Sequence, residues 1–275
     1  MPTKWVVDYY NEVANKILPF FEDRDIDVNQ IFDHENVFRR HEKDGPPATP
    51  EHSDGGRGKT WIRIEDKKRL AFWTDWHAWS FYPHLLGDKN IWFALDVDPN
   101  KCDFECVKIA SVSLADILDE MKLKYLIKFS GNKGFHFLFS LGKPPAKLSG
   151  EKIWEFERGL ISDLREKLED KLQKSKDRAK FYRFLKKDDP ITIDKSSDQK
   201  DHNSILLDKL ILHKYANIRS PYSLHEATKL VSLPIKKDEI LNFNPKKDAD
   251  PKNASNFPKS EMPENDILEL SKKIT

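Results

Sequence analysis

The feature that most constrains this chain is an apolar run that ends on two alternate carboxylates. Ile91-Trp92-Phe93-Ala94-Leu95-Asp96-Val97-Asp98-Pro99 has the aromatic and aliphatic content of a strand. Side chains two apart in a strand share a face, so Asp96 and Asp98 project side by side from its end. Adjacent carboxylates raise each other's pKa unless something cationic sits between them. A divalent ion, Mg²⁺ or Mn²⁺, is the usual solution, since both take all-oxygen ligand sets.

A second element restricts the fold further. Tyr125-Leu126-Ile127-Lys128-Phe129 and Phe135-His136-Phe137-Leu138-Phe139 flank Ser130-Gly131-Asn132-Lys133-Gly134, which reads as a β-hairpin. Phe135, Phe137 and Phe139 share one face; His136 and Leu138 share the other. Gly131 and Gly134 bracket a turn that needs positive φ or a close backbone approach. Such a turn offers backbone N–H groups, the Ser130 hydroxyl, the Lys133 cation and His136 to an anion, which suits a triphosphate. Metal-type carboxylates on one strand and phosphate donors on the next hairpin read as phosphoryl transfer on a nucleotide. Between them, Phe104, Val107, Ala110, Leu114, Ile117, Leu118 and Met121 recur at helical spacing, predicting a crossover helix over Phe104 to Leu123. The carboxylate strand and the hairpin's first strand therefore belong to one sheet.

Around this centre the chain reads as follows. Trp5, Tyr9, Val13, Ile17 and Phe20 predict a helix that stops or kinks near Pro19. Asp33 to Lys59 is polar and rich in Gly and Pro, which predicts a long irregular loop. Trp61 to Ile64 alternates like a strand. The aromatic stretch Phe72 to His84 reads first as core and edge packing beneath a sheet, and second as rings under a base. Ser149 to Ser175 predicts a long charged helix, and Lys176 to Lys187 is basic. Ile191 to Asp194 and Ile205 to Asp208 are two short apolar runs, each ending in Asp. Leu230 to Ile235 is an edge-type strand that tolerates Pro234. From Lys236 onward the chain reads as a polar tail, with a short helix over Asp266 to Ile274.

Net charge is +1 although 34% of residues are charged, so any basic footprint is local rather than global. Only two cysteines occur, Cys102 and Cys106. That excludes a disulfide scaffold, and a lone C-x₃-C lacks the second ligand pair a structural zinc needs, so no zinc is expected. No leader pattern opens the chain and no apolar run approaches the ~18 residues of a membrane span. A cytoplasmic, DNA-associated protein with no membrane partner is expected.

The Asp96-x-Asp98 strand and the Ser130-Gly131-x-Lys133-Gly134-x-His136 hairpin resemble the first two motifs of the archaeo-eukaryotic primase superfamily. Arg219-Ser220-Pro221-Tyr222-Ser223-Leu224-His225, followed by Leu230 to Ile235, resembles the third block of the primase small subunit. Tyr9-Tyr10-Asn11-Glu12-Val13-Ala14 and His77-Ala78-x-x-Phe81-x-Pro83 resemble the polymerase domain of bacterial end-joining repair ligases. The resemblance covers roughly Tyr9 to Ile240 and implies an α+β primase-type domain, with mixed sheets flanked by helices and an RRM-like catalytic module. The domain is expected over 1–242, divided at about residue 85, with 243–275 as tail or linker.

By the same resemblance, Asp96, Asp98 and a third Asp bind two Mg²⁺ or Mn²⁺ ions. Ser130, Gly131, Lys133, His136, Arg219, Ser223 and His225 hold the incoming NTP or dNTP. The third Asp is Asp208 or Asp194. The repair-ligase pattern favours Asp208, which stands thirteen residues before Pro221. The implied activity is template-dependent nucleotide addition to a 3′-hydroxyl, either filling gaps in end joining or, as a primase small subunit, starting chains de novo. A reading of another class is an inactive nucleic-acid-binding module. Implied partners are a DNA template and primer, with a DNA ligase, an end-binding protein or a primase large subunit. Where the primase block has Gly before its Leu-Val strand this chain has Lys229, expected to be a tolerated turn change.

Overall fold

A computed structural model of the chain describes residues 3–32, 35–42, 60–142, 150–183, 189–193, 204–208 and 215–266. Helix α1 (Lys4–Ile17) buries Val6, Tyr9, Tyr10, Val13, Ala14 and Ile17 on one stripe, and a 3₁₀ turn (Leu18–Phe20) follows at Pro19. Strands β1 (Ile26–Phe32) and β2 (Glu35–Arg39) pair antiparallel, and β3 (His41–Glu42) pairs with β4 (Thr60–Trp61). Helix α2 (Lys67–Asp75) starts at Asp66, whose carboxylate accepts from Arg69 N. Strand β5 (Ala78–Pro83) returns against β1, giving a three-stranded sheet in the order β2-β1-β5.

The second sheet carries the carboxylates. Strand β6 (Trp92–Asn100) is followed by α3 (Phe104–Glu120), β7 (Leu126–Phe129), β8 (Phe135–Ser140) and α4 (Gly150–Lys174). After the short α5 (Arg178–Phe181) come β9 (Thr192–Ile193), β10 (Ser204–Leu207), β11 (Pro234–Ile235) and α6 (Pro245–Asp248). The strand order is β11-β7-β8-β6-β10-β9. With β8 antiparallel to both β6 and β7, the succession β6-α3-β7-β8-α4-β10 is the βαββαβ module of an RRM-like domain. The α+β class expected from the sequence is the one observed.

Period-two alternation decides which face of this sheet is core. Phe93, Leu95 and Val97 lie opposite Phe139, Phe137 and Phe135, and all six are fully buried. Helix α3 covers that face, with Phe104 stacked on Phe135 at 5.4 Å between centroids. Each such aromatic contributes about 1.5–3 kcal/mol by leaving water. The opposite face carries Trp92, Ala94, Asp96 and Asp98, and its upper end packs on the N-terminal part through Phe20 and Trp92. One contiguous cluster of buried side chains links both sheets.

Three expectations are corrected. The irregular loop predicted from Asp33 contains β2 and β3, while 43–59 lie outside the described residues. Of the strand predicted over Trp61 to Ile64, only Thr60–Trp61 pairs, although Ile62 and Ile64 are buried. The aromatic stretch buries Trp73, Trp79 and Phe81 and turns at His77, whose φ of +63° separates α2 from β5. The polar tail is a packed segment: Phe243, Ala249, Ala254 and Phe257 are buried, Phe243 lies 5.2 Å from Phe129, and Lys16 Nζ donates to Ala254 O. The helix predicted over 266–274 falls almost wholly outside the described residues, as does Asp194. Among the described residues no helix is long and apolar enough to cross a membrane.

Lys229 adopts a left-handed φ of +64°, which explains why a glycine suits this position. Its ammonium compensates by lying 3.8 Å from the Trp79 ring centroid and donating to Glu226 O. Lys229→Ala keeps the strain and loses the cation–π contact, so it should cost about 1 kcal/mol in urea unfolding. Lys229→Gly loses the contact but relieves about 1 kcal/mol of strain and should stay near wild type. Equal losses in the two variants would show that the conformation is not strained.

Candidate active site

Asp96, Asp98, Ser130, Lys133, His136, Arg219 and His225 meet at the C-terminal end of β6. A cleft of about 230 Å³ is lined by Tyr82, Asp96, Asp98, Ser130, Asn132, Lys133, His136, Asn217, Ile218, Arg219 and His225. A larger groove of about 1110 Å³ lies elsewhere, between β7, β11 and the C-terminal segment, and contains none of these groups. The smaller cleft has the chemistry.

Register places each group. Asp96 lies opposite His136 on β8, and His136 lies opposite Lys128 on β7, so the three share a face in a row across three strands. On the other side, Leu206 of β10 pairs with Asp98 and Leu207 with Val97. The next residue, Asp208, ends that strand where the register leads to Asp96, and it is buried. Asp208 does not line the cleft itself. Among the described residues no three His, Cys, Asp or Glu side chains converge on one point as a ready metal site. The donor set still fits a hard divalent ion: two carboxylates on one strand face, a third on the neighbouring strand, and cations around them.

The turn between β7 and β8 is built around Ser130. Its hydroxyl accepts from Asn132 N at 3.3 Å and Gly134 N at 3.1 Å, and Ser130 N donates to Gly134 O. Gly131 has a φ of +93°, and a Cβ there would meet His225 Cβ at 2.9 Å. At Gly134 a Cβ would lie 2.1 Å from Asp98 Oδ1 and 2.4 Å from Val97 O, so only glycine lets the turn close over the carboxylate. Lys133, half exposed, reaches Asp98 Oδ2 at 3.5 Å.

The block from Arg219 to His225 is held from below by α1. Tyr9 Oη donates to Tyr222 O at 2.7 Å, while Tyr10 Oη accepts from Leu224 N at 3.0 Å. Arg219 donates to Glu226 Oε2 at 2.8 Å and to Leu224 O at 3.0 Å, and its guanidinium lies 4.7 Å from the Tyr82 ring centroid. Burial would raise the Glu226 pKa, but the Arg219 charge and hydrogen bond outweigh it and hold the carboxyl down at about 2. Burial, reinforced by Arg219, lowers His225 to about 4. His136 is also lowered to about 4, by burial and then by Lys128, with Asp96 pulling the other way. Both imidazoles are therefore neutral near pH 7, and the cationic groups of the cleft are Lys133 and Arg219.

Ser223 departs from its expected place. It does not line the cleft, and its hydroxyl is occupied in accepting from Phe81 N at 2.9 Å, which ties the loop to β5. Residues given no role in the sequence also contribute, three of them polar or charged. Tyr82 and Asn217 line the cleft, and Lys128 sits fully buried behind His136. Tyr82 belonged to the aromatic stretch read mainly as packing, and a strand lysine ordinarily reads as solvated. Cys102 and Cys106 are free thiols, with Cys102 donating to Ser204 O at 3.2 Å. Burial raises the pKa of both.

A family model described as the LigD primase-polymerase domain matches residues 3–262. The match runs past residue 242, as does the packing of the C-terminal segment. No curated protein matches the chain significantly. Among solved structures, the polymerase domain from Mycobacterium tuberculosis ligase D in complex with DNA is similar, with a TM-score of 0.65 and 16% sequence identity. That likeness covers 91% of this chain and 86% of the other, and at such identity it is a likeness of fold.

Proposed function

The chain belongs to the LigD primase-polymerase domain family, and on that premise we propose that it adds nucleotides to a 3′-hydroxyl under the direction of a DNA template, filling gaps at broken ends. The observation that carries this reading is one cleft in which Asp96 and Asp98 face Ser130, Lys133, His136, Arg219 and His225. Acidic groups on one wall and phosphate donors on the other match the two halves of a nucleoside triphosphate reaction.

In this reading the 3′-oxygen attacks the α-phosphorus in line, the bond to the β-phosphate oxygen breaks, and pyrophosphate leaves. Asp96 and Asp98, with Asp208, would hold two Mg²⁺ or Mn²⁺ ions, which when bound acidify the attacking hydroxyl and screen the leaving oxygens. Lys133 and Arg219 neutralise the triphosphate, and Arg219 arrives already oriented by Glu226 and Tyr82. His136 and His225 line the same cleft, where their ring N–H groups can donate to phosphate. The Ser130 hydroxyl accepts from its own turn, so its remaining capacity is to donate a hydrogen bond to phosphate. Ser223 supports the loop. On this reading the catalytic module spans about 86–242, with 243–266 packed against it as a flank.

A primer-extension assay with Mg²⁺ or Mn²⁺ tests the proposal, comparing a 5′-phosphorylated gap with an unprimed single strand. Extension across the gap is expected; synthesis on the unprimed strand alone would make the protein a primase. Incorporation into neither would remove the enzymatic reading. Gly134→Ala should lower extension about 100-fold, because the new Cβ displaces the Asp98 carboxylate. Unchanged extension by a folded Gly134→Ala protein would show that the position of Asp98 is not critical.

A further inference from the structure

Two turns supply phosphate-facing groups to the cleft: Ser130 to Gly134 between β7 and β8, and His225 to Leu230 before β11. They pack with no room for a side chain between them. Gly131 has a φ of +93°, and a Cβ there would meet His225 Cβ at 2.9 Å and Leu230 O at 3.5 Å. Thr228 joins the two turns. Its hydroxyl donates to Gly131 O and accepts from Leu230 N at 3.3 Å. A carbonyl only accepts and an amide N–H only donates, so the direction of both bonds is fixed.

The bond to Gly131 O has a consequence inside the cleft. In a planar trans peptide the C=O and the N–H point to opposite sides. With the Gly131 carbonyl held toward Thr228, the N–H of the same peptide, that of Asn132, turns the other way and reaches Ser130 Oγ at 3.3 Å. Gly134 N donates to the same oxygen at 3.1 Å, so the Ser130 hydroxyl has its own proton to offer phosphate. On the second turn, the backbone N–H groups of Ala227 and Thr228 donate to His225 Nδ1 at 3.2 and 3.4 Å. That nitrogen is an acceptor, which leaves Nε2 to carry the ring N–H. Thr228 is half-buried and does not line the cleft, whereas Ser130 and His225 do.

We propose that Thr228 is a positioning residue of the triphosphate site: its hydroxyl locks the Ser130 turn to the His225 turn and sets the direction in which Ser130 meets phosphate. Thr228 touches no reacting atom and acts through the Gly131–Asn132 peptide. Serine in its place would keep the hydroxyl. Valine would keep the shape and leave Gly131 O and Leu230 N without this partner.

The inference rests on the proposed function for its catalytic meaning, but one arm of its test needs neither nucleotide nor turnover. In amide hydrogen exchange of the unliganded protein, Asn132 and Leu230 should exchange about tenfold faster in Thr228→Val and at wild-type rates in Thr228→Ser. In titrations with a non-hydrolysable nucleoside triphosphate and Mn²⁺, Thr228→Val should bind about three- to tenfold more weakly, and Thr228→Ser as wild type. Affinity for a DNA duplex lacking nucleotide should stay unchanged in both. Thr228→Ala serves as the hydroxyl-free variant should Thr228→Val not fold. Unchanged exchange at Asn132 and Leu230 in a folded hydroxyl-free variant overturns the proposal. So does unchanged triphosphate affinity, or a loss in Thr228→Ser equal to that in Thr228→Val. Faster exchange in a protein whose wild type binds no triphosphate would leave the lock between the turns standing and remove the proposed function.

Discussion

Replacing Asp98 with Asn should reduce nucleotide addition by about 10³-fold or more, and replacing Asp96 should do the same, the scale expected when several kcal/mol of transition-state stabilisation are lost. The two variants should differ in stability. The Asp98 side chain is partly exposed and its cationic neighbour, Lys133, is half in water, so the pair contributes little and Asp98→Asn should unfold near wild type. Burial, then Arg219, lowers the Lys128 pKa well below its ordinary value; Asp96, which faces His136, pulls the other way. Asp96→Asn should therefore cost about 1–3 kcal/mol as well as activity. Urea unfolding of both proteins beside a primer-extension time course checks the pair. Residual addition at a tenth of wild type in either variant would end the assignment of these carboxylates, and chelation of divalent ions should reproduce the loss in the unaltered protein.

The second large effect is expected at Asp208. This carboxylate is buried at the end of β10, where the register leads to Asp96, and a charge so placed is expensive unless a cation shares it. Asp208→Asn should abolish addition as completely as Asp96→Asn. Asp194, outside the described residues, is followed in sequence by Lys195, Ser196, Ser197 and Asp198, which would solvate it. Asp194→Asn should keep most of the activity. The reverse result would move the third ligand and break the thirteen-residue spacing to Pro221.

What could be read from the sequence was what periodicity encodes. Alternation alone places Asp96, Asp98 and His136 on one face and the three phenylalanines of β8 on the other. Glycine demands likewise mark the turn at Gly131 and Gly134. Strand β1 was illegible because Asp27, Asn29 and Gln30 interrupt its apolar pattern; Asp27 is held by His84 at 2.9 Å and by Asn217, and Gln30 by Arg39, none of them within β1. The segment after Asn242 hid its core residues singly, with Phe243, Ala249, Ala254 and Phe257 at no regular period. Ser223 illustrates a different limit: a motif identifies a residue type in a block, but only the fold shows whether its hydroxyl faces a ligand or the backbone of β5. Lys128 is the converse, a strand lysine whose burial depends on partners far away in the chain.

The central claim is that Asp96, Asp98 and Asp208 gather divalent ions beside a bound triphosphate. A crystal soaked with Mn²⁺ and a non-hydrolysable nucleotide, measured for the anomalous signal of manganese, tests it most directly. Manganese bound by Asp96 and Asp98 with Asp208 in the coordination shell, and the triphosphate against Ser130, Lys133 and Arg219, is the predicted result. Manganese absent from Asp96 and Asp98 while the nucleotide is bound, or a triphosphate seated outside this cleft, would contradict it.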